Sequence, residues 1–156
     1  MVEVVLPGAF DSVLKDDVRA LFNHDANLIL ARSNNGMGTL KLSVDSRGLK
    51  YSFTAPDTSA GNDLLESIRR GDIDQSSYSF SVDASGQKYD MEGKTCVRTI
   101  KKFSKLYDVS PVAFAATPET TVTARNAKPG TTGDRPHWTV ENATRRFNLL
   151  RNRYSK

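Results

Sequence analysis

The chain has 156 residues, 38% hydrophobic and 26% charged, which suits one domain with its own core. No apolar run approaches the roughly 20 residues that span a bilayer, so no membrane partner is expected. The single cysteine, Cys96, excludes an internal disulfide, fits a reducing compartment and argues against a cysteine-ligated metal site. The formal net charge of +4 is unevenly placed. Residues 126–156 carry seven basic and two acidic residues, a net of +5, which leaves −1 for residues 1–125. Such a basic tail can bind nucleic acid or an acidic protein surface; a solvated helix is the plainer explanation.

Met1 to Leu6 has no basic region and meets Pro7-Gly8 at once, which argues against a signal peptide. Pro7 to Ser12 is a turn, with Asp11 or Ser12 capping a short helical segment at Val13-Leu14-Lys15. In the next run, alternation puts Val18, Ala20, Phe22 and His24 on one face of a strand. His24 would close that strand just before a turn at Asp25-Ala26-Asn27. A further strand is expected over Leu28–Ala31, ended by Ser33-Asn34-Asn35-Gly36. A hairpin follows: Leu40, Leu42 and Val44 alternate with polar residues, Ser46-Arg47-Gly48 turns the chain, and Leu49, Tyr51 and Phe53 alternate on the return.

Pro56 to Ser59 breaks the strand and offers caps for a helix through Leu64–Arg70, with Gly71 as its C′ residue and two arginines at the negative end of its dipole. The run Gln75-Ser76-Ser77-Tyr78-Ser79-Phe80-Ser81-Val82 has period two: Tyr78, Phe80 and Val82 on one face, Ser77, Ser79 and Ser81 on the other. Serines opposite a core face are most often simply its polar side. Ser85-Gly86-Gln87 and Glu92-Gly93-Lys94 mark a loop, then Thr95–Phe103 and Leu106–Phe114 have the pattern of strands. Cys96 fits there as a small apolar filler. Pro111 demotes the second of these strands to an edge or a bulge. Asp108 interrupts its apolar run, where a turn or edge carboxylate is the ordinary role. Residues 126–138 have linker composition, and Thr139 can cap a basic amphipathic helix over 139–156 with Val140, Ala143, Phe147 and Leu150 on one face. There are no repeats, no glycine-rich phosphate loop and no metal-ligand spacing, so no cofactor is expected.

A serine becomes a nucleophile when an imidazole can take its proton and a third group orients that imidazole. Ser77, His24 and Asp108 are candidates, but their spacing alone carries little weight. More specific are Pro7-Gly8-Ala9-Phe10-Asp11, Val18-Arg19-Ala20-Leu21-Phe22-Asn23-His24-Asp25, Arg47-Gly48-Leu49 and Pro56-Asp57-Thr58. After them come Asp63-Leu64-Leu65, Ile68-Arg69-Arg70-Gly71-Asp72, Gln75-Ser76-Ser77-Tyr78-Ser79-Phe80, Leu106 to Val112 and Pro118-Glu119-Thr120. In this order, over roughly residues 6–125, the chain resembles the tailed-phage prohead proteases, the serine peptidases of capsid maturation.

The resemblance implies a mainly β fold with flanking helices, a herpesvirus-assemblin-like closed β-barrel whose first strand is missing or shortened. It implies a protease domain over 1–125, ahead of the linker and the helix. It implies His24 as the family's histidine, Ser77 as the nucleophile of its Gln-x-Ser-aromatic-x-Phe motif, and Asp108 as its acidic residue before Val-Ser. Herpesvirus enzymes use a second histidine as third member, but His137 lies outside the matched region. Ser79 stands where the family often has Gly or Ala. Implied too are capsid proteins and scaffold segments as substrates, self-cleavage, a homodimer, and action in the bacterial cytoplasm inside the assembling prohead. The rival readings are a non-catalytic assembly or scaffolding module with the same fold, and a nucleic-acid-binding protein.

Overall fold

The computed structural model describes residues 1–116, 120–126 and 138–144. These residues are mainly strand and form three sheets. The first has β1 (Val2–Val5) parallel to β9 (Thr95–Ile100), which pairs antiparallel with β8 (Gln87–Glu92). The second, in spatial order, has β4 (Met37–Gly38), β3 (Asp25–Asn34), β2 (Val18–Phe22), β10 (Lys105–Val112) and β7 (Gln75–Ser81). The third has β11 (Thr120–Asn126), β12 (Trp138–Thr144), β6 (Gly48–Thr54) and β5 (Leu40–Asp45).

The expected barrel is corrected on one point: the sheets of the described residues do not close on one another. The expected flanking helices reduce to one α-helix among these residues, α1 (Ser59–Arg70). Its ends are chemically explicit. The Thr58 hydroxyl accepts from Gly61 N–H, and Gly71, at φ 80°, sends its own N–H back to the carbonyls of Ser67 and Ile68. The predicted helical segment at Val13–Lys15 is instead a run of single turns, in which Ala9, Asp11, Val13 and Asp16 each donate to the carbonyl three residues back. Gly8 at φ 83° fits a chain that keeps turning and does not propagate a helix.

The core follows the alternation. Leu49, Tyr51 and Phe53 of β6 are buried together with Leu40 of β5, and β7 contributes Tyr78 and Phe80. The Phe10 and Phe103 rings stack at 4.4 Å, and Tyr78 and Phe80 pack on them edge-on. Three further expectations are revised. Gln87–Glu92, taken as loop, is β8, because the turns on either side of it leave six residues free to pair with β9. β10 is an interior strand, not an edge, and its bulge falls between Leu106 and Asp108, away from Pro111. Pro111 is tolerated because its pairing with β2 ends at Val109, so the missing N–H falls on a side where no ladder bond is due. Residues 138–144 are a strand between β11 and β6, not the opening of a helix. Val140 is fully buried in that strand, opposite Phe53. The expected linker between Asn126 and Trp138, and the expected helix beyond Thr144, lie outside the described residues. The short N-terminal run does find a partner: its four residues pair with β9.

Candidate active site

A one-residue irregularity in β10 decides which way Asp108 points. Leu106 pairs with Phe80, but Asp108 pairs with Ser79, so Tyr107 is an extra residue in the register. Without that bulge Asp108 would share the face of Leu106 and enter the core. With it, Val109 takes the core face beside Tyr78, and Asp108 joins the face of Ser77 and Ser79. Tyr107 itself stays half exposed and its hydroxyl meets that of Ser81 at 2.9 Å. The amide of Leu106, at the edge of the irregularity, donates to Asp16 Oδ2.

His24 arrives by a different device from the one its sequence pattern suggests. β2 ends at Phe22, and Phe22 pairs with Asp25, so Asn23 and His24 are the two residues of a tight hairpin turn. Both have positive φ, 58° and 59°. That is the backbone of the tightest hairpins, and Asn and His tolerate it better than most side chains. The turn is tied to the end of β10: Asn23 N–H donates to the Pro111 carbonyl, and Asn23 Oδ1 accepts from Ala113 N–H. His24 is therefore not on the apolar face of β2. It leans over β10, and its Nδ1 lies 2.6 Å from Asp108 Oδ1.

A carboxylate only accepts, so Nδ1 carries the proton in this pair, which in the neutral ring leaves the lone pair on Nε2. The imidazole side chain is 36% exposed and the Asp108 side chain 11%. One partner thus meets solvent while the other is held in the protein. An open depression here is lined by His24, Tyr78, Ser79, Phe80 and Asp108. Burial pushes the Tyr78 phenol well above its ordinary range, so it stays neutral.

The structure brings His24 and Asp108 into contact. Ser77 is on the same face, half buried, paired with Ser110 and two residues along β7 from the depression. Among the described residues no hydrogen bond joins Ser77 to His24. Ser79 is the serine directly opposite Asp108. Sequence reasoning passed over Ser110 and Asn23. Ser110 could have been found from Asp-x-Ser, since two residues apart on a strand share a face. Asn23 could have been found from Asn-His beside Asp, a turn signal. The described residues hold no group of three or more His, Cys, Asp or Glu able to bind a metal, and no helix long and apolar enough to cross a membrane.

A carboxylate-bound imidazole beside a row of hydroxyls is the apparatus of general acid–base chemistry at a serine. The chain belongs to the caudovirus prohead serine protease family, whose model matches residues 1–133. The match takes in the chain's first six residues and extends past Arg125. No curated protein and no solved structure is matched by the chain.

Proposed function

We propose that the protein is a serine endopeptidase that processes capsid and scaffold proteins during prohead maturation and cleaves itself, within the assembling prohead in the host cytoplasm. The 2.6 Å bond between His24 Nδ1 and Asp108 Oδ1 carries the reading, because it leaves Nε2 as the ring nitrogen that can take a proton, and Asp108 shares the strand face of Ser77 and Ser79. Ser77 Oγ attacks the scissile carbonyl and His24 Nε2 takes its proton. The resulting imidazolium is stabilised by Asp108 and returns the proton to the leaving amine. Water then releases the acyl group by the same route. In the free protein Ser77 is not bonded to His24; such contacts commonly tighten only when substrate is bound. We take Ser77 over Ser79 as nucleophile on the resemblance, since Ser77 stands at the serine of the Gln-x-Ser-aromatic-x-Phe motif. The active species is a homodimer, and residues 145–156, with five basic side chains, serve contacts with acidic protein surfaces.

The test is labelling with a fluorophosphonate. Ser77 Oγ would bond to phosphorus, fluoride would leave, and the hydroxyl proton would pass to His24. Mass spectrometry should find the adduct on Ser77, and His24→Ala should lose it. An adduct on Ser79 would move the nucleophile two residues. A chain that stays unlabelled at every serine would point to an assembly module without turnover.

A further inference from the structure

We propose that Ser110 is a positioning residue for this site, holding the Asp108 carboxylate and setting how strongly it binds the His24 imidazolium. The inference rests on the reading of His24 as general base. Ser110 is wholly buried, and its hydroxyl donates to Asp108 Oδ1 at 2.7 Å. That is the same oxygen that accepts from His24 Nδ1. One carboxylate oxygen therefore has two donors converging on it, one from the solvent side and one from inside the sheet.

Ser110 is itself anchored. Tyr51 O–H and Ser76 Oγ are 3.0 Å apart, and Ser76 donates to the Ser110 carbonyl at 3.3 Å. Tyr51 lies on β6 and Ser76 on β7, so two strands of different sheets fix the backbone that carries Ser110. The Tyr51 phenol is pushed far up, mainly by burial and in smaller part by the Asp108 charge. The Asp108 carboxylate charge contributes to that push. A hydroxyl donating to it draws part of that charge away from His24. The hydroxyl also removes the freedom of the carboxylate to rotate out of the plane that suits Nδ1.

Among the described residues the charged and titratable groups around the imidazole are few. Asp108 faces it from β10, Arg19 is aligned with Asp108 on β2, Asp25 follows His24 into β3, and Tyr78 lines the depression from β7. Arg19 is drawn to Asp17 at 3.1 Å, and Asp25 Oδ1 accepts from Asn27. Asp108 is the group among them that contacts the ring, and Ser110 the hydroxyl that modulates it.

The experiment compares Ser110→Ala with the parent in the full chain. It reads the pH midpoint of His24 by NMR, assigned against His137→Gln, and the rate of fluorophosphonate labelling at Ser77. Loss of the hydroxyl concentrates charge on Asp108, so the His24 midpoint should rise by about half a pH unit. The labelling rate should fall about tenfold at neutral pH. Ser110→Thr and Ser110→Val form a second pair that differ in the hydroxyl but crowd the site equally. Thr should keep the parent midpoint, and Val should shift it as Ala does. A buried hydroxyl that merely satisfied its own hydrogen bond would change stability and leave both readouts alone. A His24 midpoint unmoved in the folded hydroxyl-free variants, or a labelling rate within about twofold of the parent, overturns the proposal. If the parent itself is not labelled, the peptidase reading fails, and the midpoint comparison alone still decides whether Ser110 acts on His24 through Asp108.

Discussion

His24 occupies its place through a backbone conformation that costs free energy. A side chain at positive φ costs about 1–2 kcal/mol relative to glycine. The turn is held by two bonds from Asn23 to the end of β10. Asn23→Gly keeps the conformation and loses the side-chain bond to Ala113, so it should cost no more than about 1 kcal/mol in urea unfolding. Asn23→Ala adds the αL penalty and should cost about 2 kcal/mol, with slower labelling of Ser77 because His24 is held less firmly. Equal losses in the two variants would show that the turn is not strained. Ser77→Ala separates folding from chemistry. Ser77 is on the face away from Tyr78 and Phe80, so no core cavity opens and stability should change by less than about 1 kcal/mol. Loss of a nucleophile costs about a millionfold in turnover, roughly 8 kcal/mol. Activity on a capsid or scaffold substrate should vanish while the thermal midpoint stays. Ser79→Ala should retain part of the activity.

At the scale of elements, β2 and β3 are tied at their far end from the Asn23-His24 turn. Arg32 grips both oxygens of Asp17 at 2.7 and 2.8 Å, and Arg19 adds a third contact. The Arg32 bond, ahead of the charge of Arg19, lowers Asp17 to about 2 from an ordinary 3.8. A depressed carboxylate adds stability that is complete above its unfolded value and lost as pH falls through the folded one. Asp17→Asn should therefore lower the urea midpoint at pH 6, and the gap to the parent should close as pH falls from 3.8 to about 2. A gap that persists at pH 2 would mean that Asp17 acts by packing. Salt should narrow the gap at pH 6, since the pair is partly exposed. Elements of this kind were unevenly legible in the sequence. The hairpin of β5 and β6 and the capped helix α1 were readable because alternation, turn residues and caps are all local. His24 could be singled out as a candidate but its setting was not legible: alternation continues through Phe22 and gives no sign that the strand has ended. The Tyr107 bulge was illegible for a related reason. An inserted residue shifts the register against a partner strand, and nothing within β10 records it. Yet that shift turns Asp108 outward. Gly61 shows the same limit, since a Cβ there would lie 2.0 Å from the Pro56 carbonyl oxygen, a contact made only once the helix has folded back.

For the whole molecule, the weight falls on β12, which the sequence pattern assigns to a basic tail outside the protease domain. Its residues between Trp138 and Thr144 sit between β11 and β6, with seven register pairs on one side and three on the other. Among the described residues β12 is the neighbour of β11 in the third sheet, so removing it takes away that pairing and leaves β11 held from outside the sheet, as by the bond from Val122 N–H to the Asp74 carbonyl. The same removal exposes the inner edge of β6, the strand that carries Tyr51 and Phe53 into the core. Val140 is fully buried and belongs to the same cluster. The spacing of the tail concealed this, because Val140 with Ala143, Phe147 and Leu150 has the pattern of one face of an amphipathic helix. A chain ending at Arg125 should therefore fail to give a cooperative unfolding transition, and it should aggregate through the opened edge. Val140→Ala provides the graded version. Two methyl groups lost from a filled site should cost about 2 kcal/mol, read as a lower urea midpoint with an unchanged slope. The effect should reach the active site by way of β6, since Tyr51 is bonded to Ser76 and Ser76 to the backbone of Ser110. Slower labelling of Ser77 in the folded Val140→Ala protein would mark that connection. If the truncated chain instead unfolds with the parent's midpoint and slope, β12 contributes nothing to the core, and the domain ends where its alternating pattern does.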